Sequence, residues 1–218
     1  MYKSVIFDVD GTLLNSDQAI ILALQKVLQE EMDIEYPSEK LTYLLGMTSV
    51  NSLRMLEISN VERANEKLLH YLGVYHNLLS IYSGIEKMLE KLVENKIHTG
   101  IVTSKTREEF KADFIPFGLL KYFSHVICAD DTAKHKPEPD PLLKYMEQTG
   151  VNPKTAIYIG DTVFDQICAN EAKIDFGLAL WGAKQPEAIS ATHRLDHPED
   201  IYRFMHLIQH CGSRGDLI

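Results

Sequence analysis

The chain has 218 residues, 45% of them apolar and 24% charged, with 12 Gly and 8 Pro, which excludes collagen-like, disordered and disulfide-stapled classes. That length allows one large domain, or one domain carrying a smaller insertion. A formal charge of −9 argues against nucleic acid or an anionic membrane as partner, but leaves a small anionic substrate open, because a local cation or bound metal can reverse the field within one cleft.

Tyr2 to Phe7 is a β-branched and aromatic run that stops at acids and a Gly, and it predicts a short buried strand ending in a functional turn. From Ser16 or Asp17 as N-cap, Ile20, Leu24, Val27 and Leu28 recur at helical spacing. Pro37 and Ser38 open a second helical segment, Gly46 interrupts it, and Val61 to about Ile81 reads as one long helix or two shorter ones. No convincing strand falls within this stretch.

After Ser83 and Gly84 the pattern alternates: helix 85–94, strand 97–102, helix 107–114, strand 126–129, helix 141–148 and strand 156–159. Helix 164–172, strand 176–180 and a last helix near 199–209 complete it. Such alternation predicts an α/β protein with a Rossmann-like parallel sheet and helices on both faces. The expected organisation is an α/β core domain from residues 1–15 and 82–218, interrupted by an all-helical cap domain over 16–81. An insertion just after the first strand sits at the carboxyl edge of the sheet, where open α/β domains bind ligands, and is positioned to act as a lid.

Asp8, Asp10, Gly11 and Thr12 come directly off the first strand. Residues i and i+2 of an extended chain share a face, so the two carboxylates can converge. Burying two acids together costs several kcal/mol unless a cation or proton offsets the repulsion, which points to a metal, a shared proton, or both. A plain acidic turn is the alternative. In YIGDTVFD, Asp161 ends a predicted strand and Asp165 lies one helical turn later. Strand ends of a parallel sheet share one rim, so Asp161 can meet Asp8 and Asp10, and oxygen donors without His or Cys suit Mg²⁺. Helix capping would also explain Asp161 and Asp165.

Thr103 and Ser104 end the strand in IHTGIVTSK, where a hydroxyl and backbone N–H groups at a helix start can cradle phosphate, or simply cap the helix. Lys136, in HKPEPD, is held against Pro137; an exposed loop lysine is the usual case for such a residue. Together these groups meet the needs of phosphoryl transfer through a carboxylate: an attacking acid, neutralising cations, and donors that position the oxygens.

The segments FDVDGT, VTSK, KPEPD and YIGDTVFD, in this order and spacing, resemble the signatures of the haloacid dehalogenase-like (HAD) phosphatase superfamily, and the helical insertion resembles its small helical cap. The resemblance implies that Asp8 is a nucleophile forming an aspartyl-phosphate and that Asp10 is the acid and base. It further implies Mg²⁺ held by Asp8, Asp161 and the Asp10 carbonyl, phosphate held by Thr103, the Ser104 amide and the Gly11 loop, charge offset by Lys136, and Asp165 orienting the lysine or a metal-bound water. The halide-releasing branch lacks the second Asp, so Asp10 favours phosphate chemistry.

VTSK, with Trp181 and Gly182, looks most like the phosphoglycolate phosphatase group and its pyrophosphatase relatives, with Lys173 standing where that group usually has Gly. The turn Gly46, Met47, Thr48 and Ser49 resembles the cap segment that reaches the substrate, and is uncharged until Arg54. The expected activity is Mg²⁺-dependent hydrolysis of a small phosphate ester, phosphoglycolate-like, with pyrophosphate as an alternative. A β-phosphoglucomutase-like mutase is a further alternative, but its cap carries a His and an Arg where this chain has Ile20 and Ser49. A regulatory protein without turnover should have lost a charged site residue, and Asp8, Asp10, Lys136 and Asp161 are all present.

Cys128, Cys168 and Cys211 are too few and too dispersed for a disulfide framework or a paired-cysteine zinc site, and read as reduced thiols. His76, His125, His193, His206 and His210 are scattered and suit surface or interface roles, while Trp181 suits the core. The N-terminus runs straight into a strand, unlike a signal peptide, and no stretch reaches the ~18 to 20 apolar residues of a membrane span. A cytoplasmic protein is expected, monomeric or homodimeric, acting on a small phosphorylated metabolite with no nucleic-acid or membrane partner.

Overall fold

In the computed structural model, residues 1–205 are described. Six strands form a parallel sheet: β1 (Ser4–Phe7), β4 (His98–Val102), β5 (His125–Ile127), β6 (Ala156–Gly160), β7 (Asp175–Ala179) and β8 (His193–Leu195), in the spatial order β5-β4-β1-β6-β7-β8. β1 lies between β4 and β6 with Phe7 opposite both Ile101 and Ile159. Its side chains alternate between two cores. Val5 and Phe7 join Ile85, Met88, Leu89 and Leu92 of α4 (Ile85–Glu94) with Phe110 of α5 (Arg107–Asp113). Ile6 joins Leu142 and Tyr145 of α6 (Asp140–Thr149) with Cys168 and Ala169 of α7 (Val163–Glu171). A strand covered on both faces has no solvent side, which is why its sequence is apolar without alternation. Each such side chain contributes about 1.5–3 kcal/mol by leaving water.

Between β1 and α4 the chain leaves along β2 (Leu14–Asn15) and returns along β3 (Ser80–Ile81), an antiparallel pair. The intervening α1 (Asp17–Met32), α2 (Ser49–Met55) and α3 (Val61–Val74) bury an aliphatic cluster of their own, with Leu24, Val27, Leu28, Leu53 and Leu68 at its centre.

Several predicted elements differ. The helix expected to run from Val61 toward Ile81 ends at Val74; a 3-10 turn over His76–Leu78 follows, and Ser80–Ile81 is a strand because it pairs with Leu14–Asn15, outside the insertion. The last helix is a 3-10 segment over Pro198–Phe204, and the remainder of the range predicted for it lies outside the described residues. The strand His193–Leu195 is too short to show periodicity, and only its pairing with β7 identifies it. Lys173 adopts φ +61, the left-handed conformation in which Gly is at ease, so its departure from the family pattern is a local backbone cost at the end of α7. Cys128 and Cys168 are buried free thiols, both pushed up to about 12 by burial, while Cys211, His206 and His210 lie outside the described residues. Among the described residues no helix is long and apolar enough to cross a membrane.

Candidate active site

Asp8 and Asp161 leave the carboxyl ends of the adjacent strands β1 and β6, and both are buried. The Asp8 amide continues the ladder by donating to Ile159 O at 2.9 Å. Carboxylate oxygens of Asp8, Asp161 and Asp165 all lie within 4.8 Å of one another. Gly11 has φ +72, and a Cβ there would fall 2.1 Å from Asp161 Oδ2, so the loop can approach the carboxylate only because it carries a glycine. Thr12 Oγ1 donates to Asp161 Oδ1 at 3.1 Å.

Lys136, for which an exposed loop position was the usual expectation, is buried: its side chain is 1% exposed. Its ammonium lies 2.9 Å from Asp8 Oδ1 and 2.7 Å from Asp165 Oδ1, and donates to the Tyr158 hydroxyl at 3.1 Å. Asp165 is fully engaged, because its other oxygen accepts from the Thr162 amide at 3.0 Å and the Thr162 hydroxyl at 2.6 Å. It therefore caps α7 and holds the lysine at once. Burial alone would lower the Lys136 pKa, but Asp165 and Asp8 outweigh it and hold the ammonium well above the usual lysine range.

Asp10 sits at the mouth of the same rim. Ser16, expected as N-cap of α1, occupies that position without a capping bond; its hydroxyl instead donates to Asp10 Oδ1 at 2.5 Å. Lys105 Nζ lies 3.2 Å from the same oxygen and 2.7 Å from Asp113 Oδ2. Thr103 is buried; its hydroxyl oxygen accepts from the Lys105 amide at 3.2 Å, leaving the hydroxyl hydrogen unassigned to a protein acceptor among the described residues. This amide is thus not one of the free donors expected after Thr103. Ser104 spends its hydroxyl on Gly46 O of the insertion, at 2.7 Å.

Across the rim, Gly46, Met47 and Ser49 line an enclosed space of about 40 Å³, together with Asp8, Asp10 and Lys105. Thr48 does not line it, because its hydroxyl caps α2 by accepting from the Asn51 amide at 3.3 Å. Ser49 donates to Glu109 Oε1 at 2.5 Å, and Glu109 Oε2 accepts from the Thr106 amide in the capping box of α5.

The acids fit a hard divalent cation. Burial raises the Asp8 pKa to about 7, with Asp165 and Asp10 adding to the effect and Lys136 opposing it. Asp161 is pushed well above the usual carboxylate range, again by burial first and then by Asp165 and Asp8. Carboxylates so placed repel one another, and a bound Mg²⁺ relieves that repulsion through oxygen donors alone. Asp8 and Asp161 could hold such an ion, while Asp165 is already engaged by Lys136 and Thr162.

The structure thus brings Asp8, Asp161, Asp165 and Lys136 into one cluster, with Asp10 and Thr103 beside it. Sequence reasoning missed Lys105, Tyr158, Glu109 and Ser16 as parts of the site. Lys105 stood inside the motif VTSK, where a charged residue directly after a buried strand was a usable signal. Tyr158 had none, since an aromatic residue within an apolar strand reads as core.

Acids from two adjacent strands and a buried lysine thus share one rim of a parallel α/β sheet. The model of the haloacid dehalogenase-like hydrolases matches residues 5–179, and the chain belongs to that family. A phosphoglycolate phosphatase of Aquifex aeolicus is 30% identical over 211 residues, spanning 95% of this chain and 99% of its own. A candidate pyrophosphatase PpaX of Caldanaerobacter subterraneus is 28% identical over 211 residues, 96% of each chain. The crystal structure of a candidate phosphoglycolate phosphatase from Lactobacillus plantarum is similar with a TM-score of 0.87 and 30% identity, covering 94% of this chain and 100% of that one.

Proposed function

We propose that the protein is a Mg²⁺-dependent phosphatase that hydrolyses a small phosphate ester through an aspartyl-phosphate on Asp8. The observation that carries this reading is the buried cluster in which Asp8, Asp161 and Asp165 converge around Lys136 at the carboxyl ends of β1 and β6. When bound, the magnesium ion supplies the positive charge that lets a dianionic phosphate approach these acids.

An oxygen of Asp8 attacks phosphorus and the bond to the leaving oxygen breaks, while Asp10 gives its proton to that oxygen. Asp10 then takes a proton from water; the water oxygen attacks phosphorus, the Asp8–phosphorus bond breaks, and inorganic phosphate leaves. Lys136 offsets negative charge on the transferring group, fixed in place by Asp165 and Tyr158. The Thr103 hydroxyl, the Ser104 amide and the Gly11 loop orient its oxygens. Residues 16–81 act as the cap that closes over the substrate.

The names of the relatives support a phosphoglycolate-like ester, with pyrophosphate as the alternative. Ile20 and Ser49 both line the enclosed space, an aliphatic group and a hydroxyl where the resemblance to a sugar phosphate mutase would require His and Arg. Release of inorganic phosphate from p-nitrophenyl phosphate, phosphoglycolate and pyrophosphate, each with Mg²⁺ and with excess chelator, tests the proposal. Chelator-sensitive hydrolysis is expected, and its absence in wild type for all of these would overturn it. A crystal soaked with beryllofluoride and Mg²⁺ should carry the fluoride adduct on Asp8.

A further inference from the structure

We infer that Lys105 is a positioning residue for the general acid and base, and that it selects which oxygen of Asp10 handles the proton. The inference rests on the phosphatase reading above. Lys105 follows β4 and is buried between two acids, with Nζ 2.7 Å from Asp113 Oδ2 and 3.2 Å from Asp10 Oδ1. Ser16 Oγ, at the start of α1, donates to that same Oδ1 at 2.5 Å. Two donors from separate elements thus hold one oxygen of Asp10, and among the described residues none bonds Oδ2.

A carboxyl group that must deliver a proton to one oxygen and later withdraw one from water works best when its plane is fixed and one oxygen is kept free. Lys105 and Ser16 do both, holding Oδ1 and leaving Oδ2 without a protein partner among the described residues. If Lys105 only neutralised Asp113, an ion pair behind α5 would suffice. Its ammonium instead lies between Asp113 and Asp10, and the residue lines the same space as Asp8 and Asp10. Held between Asp113 and Asp10, the ammonium is placed to fix the Asp10 carboxylate.

Lys105→Met tests this in the full chain, using the aryl pair p-nitrophenyl phosphate and phenyl phosphate. These differ in how much the leaving oxygen needs a proton. With phenyl phosphate kcat should fall by about tenfold or more, a fraction of the ~10²–10⁴ that acid and base catalysis supplies, with KM changed less than threefold. With p-nitrophenyl phosphate the first step is spared and hydrolysis of the aspartyl-phosphate is slowed, so phosphoenzyme should accumulate in acid-quenched samples. Lys105→Met leaves Asp10 and Asp113 facing each other without their cation, so the double variant Lys105→Met/Asp113→Asn, which removes the buried pair together, should show the same kinetic pattern with a restored melting temperature. Equal losses of kcat/KM, which reports the first step, on the two substrates in both variants, or a rise in KM with kcat intact, would overturn the inference and move Lys105 to a structural or substrate-binding role. Lack of Mg²⁺-dependent turnover in wild type would instead overturn the phosphatase reading itself.

Discussion

The rim of the sheet and the helical insertion above it hold their side chains by different physics. On the rim, charged groups are fixed by ion pairs and hydrogen bonds: Lys136 by Asp8 and Asp165, Lys105 by Asp10 and Asp113, and Asp161 by the Thr12 hydroxyl. Facing it, Ile20, Leu24, Leu68 and Leu72 present aliphatic groups packed on an apolar cluster. The insertion touches the rim through a few polar bonds, Ser16 to Asp10, Ser49 to Glu109, Ser104 to Gly46 and Lys184 to Asp17. Reaction chemistry needs preorganised charge, which a sheet edge supplies; choice among substrates needs a shape that can change without disturbing that charge. Placing the two on separate clusters lets each vary alone.

The largest expected effect lies on the rim. Asp8→Asn keeps the shape and removes the attacking oxygen, so turnover of p-nitrophenyl phosphate should fall by at least about a hundredfold, with the circular dichroism spectrum unchanged. Residual activity above that level would remove Asp8 from the nucleophile role and with it the contrast between a reactive rim and a passive insertion.

Next is Gly182, on the loop after β7. A Cβ there would lie 1.7 Å from Gly11 O, a backbone atom that cannot yield without moving the Asp8–Asp10 loop, which Trp181 also holds by donating to Thr12 O at 2.9 Å. Gly182→Ala should therefore cost about 2 kcal/mol or more in urea unfolding and lower kcat as well. A variant that is stable and fully active would show the rim to be less rigid than the insertion.

Much of the rim was legible in the sequence because its residues lie in short runs at strand ends: FDVDGT and YIGDTVFD place Asp8, Asp10, Asp161 and Asp165 by period and position alone. The parallel sheet followed from the alternation after Ser83. What was not legible depends on contacts between distant segments. Lys136 read from its own loop as a surface lysine and entered the site only through the family resemblance, with no local signal for its enclosure by Asp165 and Tyr158, and Ser16 looked like a helix cap until Asp10 claimed its hydroxyl. The strand pair β2 and β3 is too short for any pattern, and Thr48 and Ser49, neighbours in sequence, face different partners because one caps a helix and the other begins it.

Magnesium should act on stability as well as rate, and more so at high pH. Asp8 rises from 3.8 to about 7 and Asp161 is raised as well. The folded, metal-free protein thus binds more protons than the unfolded chain between those values, and loses stability as pH rises from about 4 toward 7. A cation that needs both carboxylates ionised restores what is lost. At a concentration of about 100 Kd it should contribute about 2.7 kcal/mol, or about 5–10 °C in Tm for a chain of this size, at pH 8, and much less at pH 5. Thermal scans with and without Mg²⁺ at the two pH values check this; an equal shift at both would show that the ion does not bind these acids.

The smallest effect is expected at the seam between the two regions. Ser49→Ala removes the hydroxyl that bonds Glu109 Oε1, while Oε2 keeps its bonds to Thr106 and holds the side chain in place. The loss is then about 1 kcal/mol, and it falls on closure of the insertion and not on its fold or that of the core, because Ser49 packs in none of the three hydrophobic clusters. KM should rise about fivefold, the equivalent of that free energy, while kcat stays within about twofold and the melting temperature is unchanged. Steady-state kinetics and a thermal scan on the same sample separate these quantities. A fall in kcat with KM constant would mean that Ser49 acts on the chemistry through Glu109, and that the seam belongs to the rim.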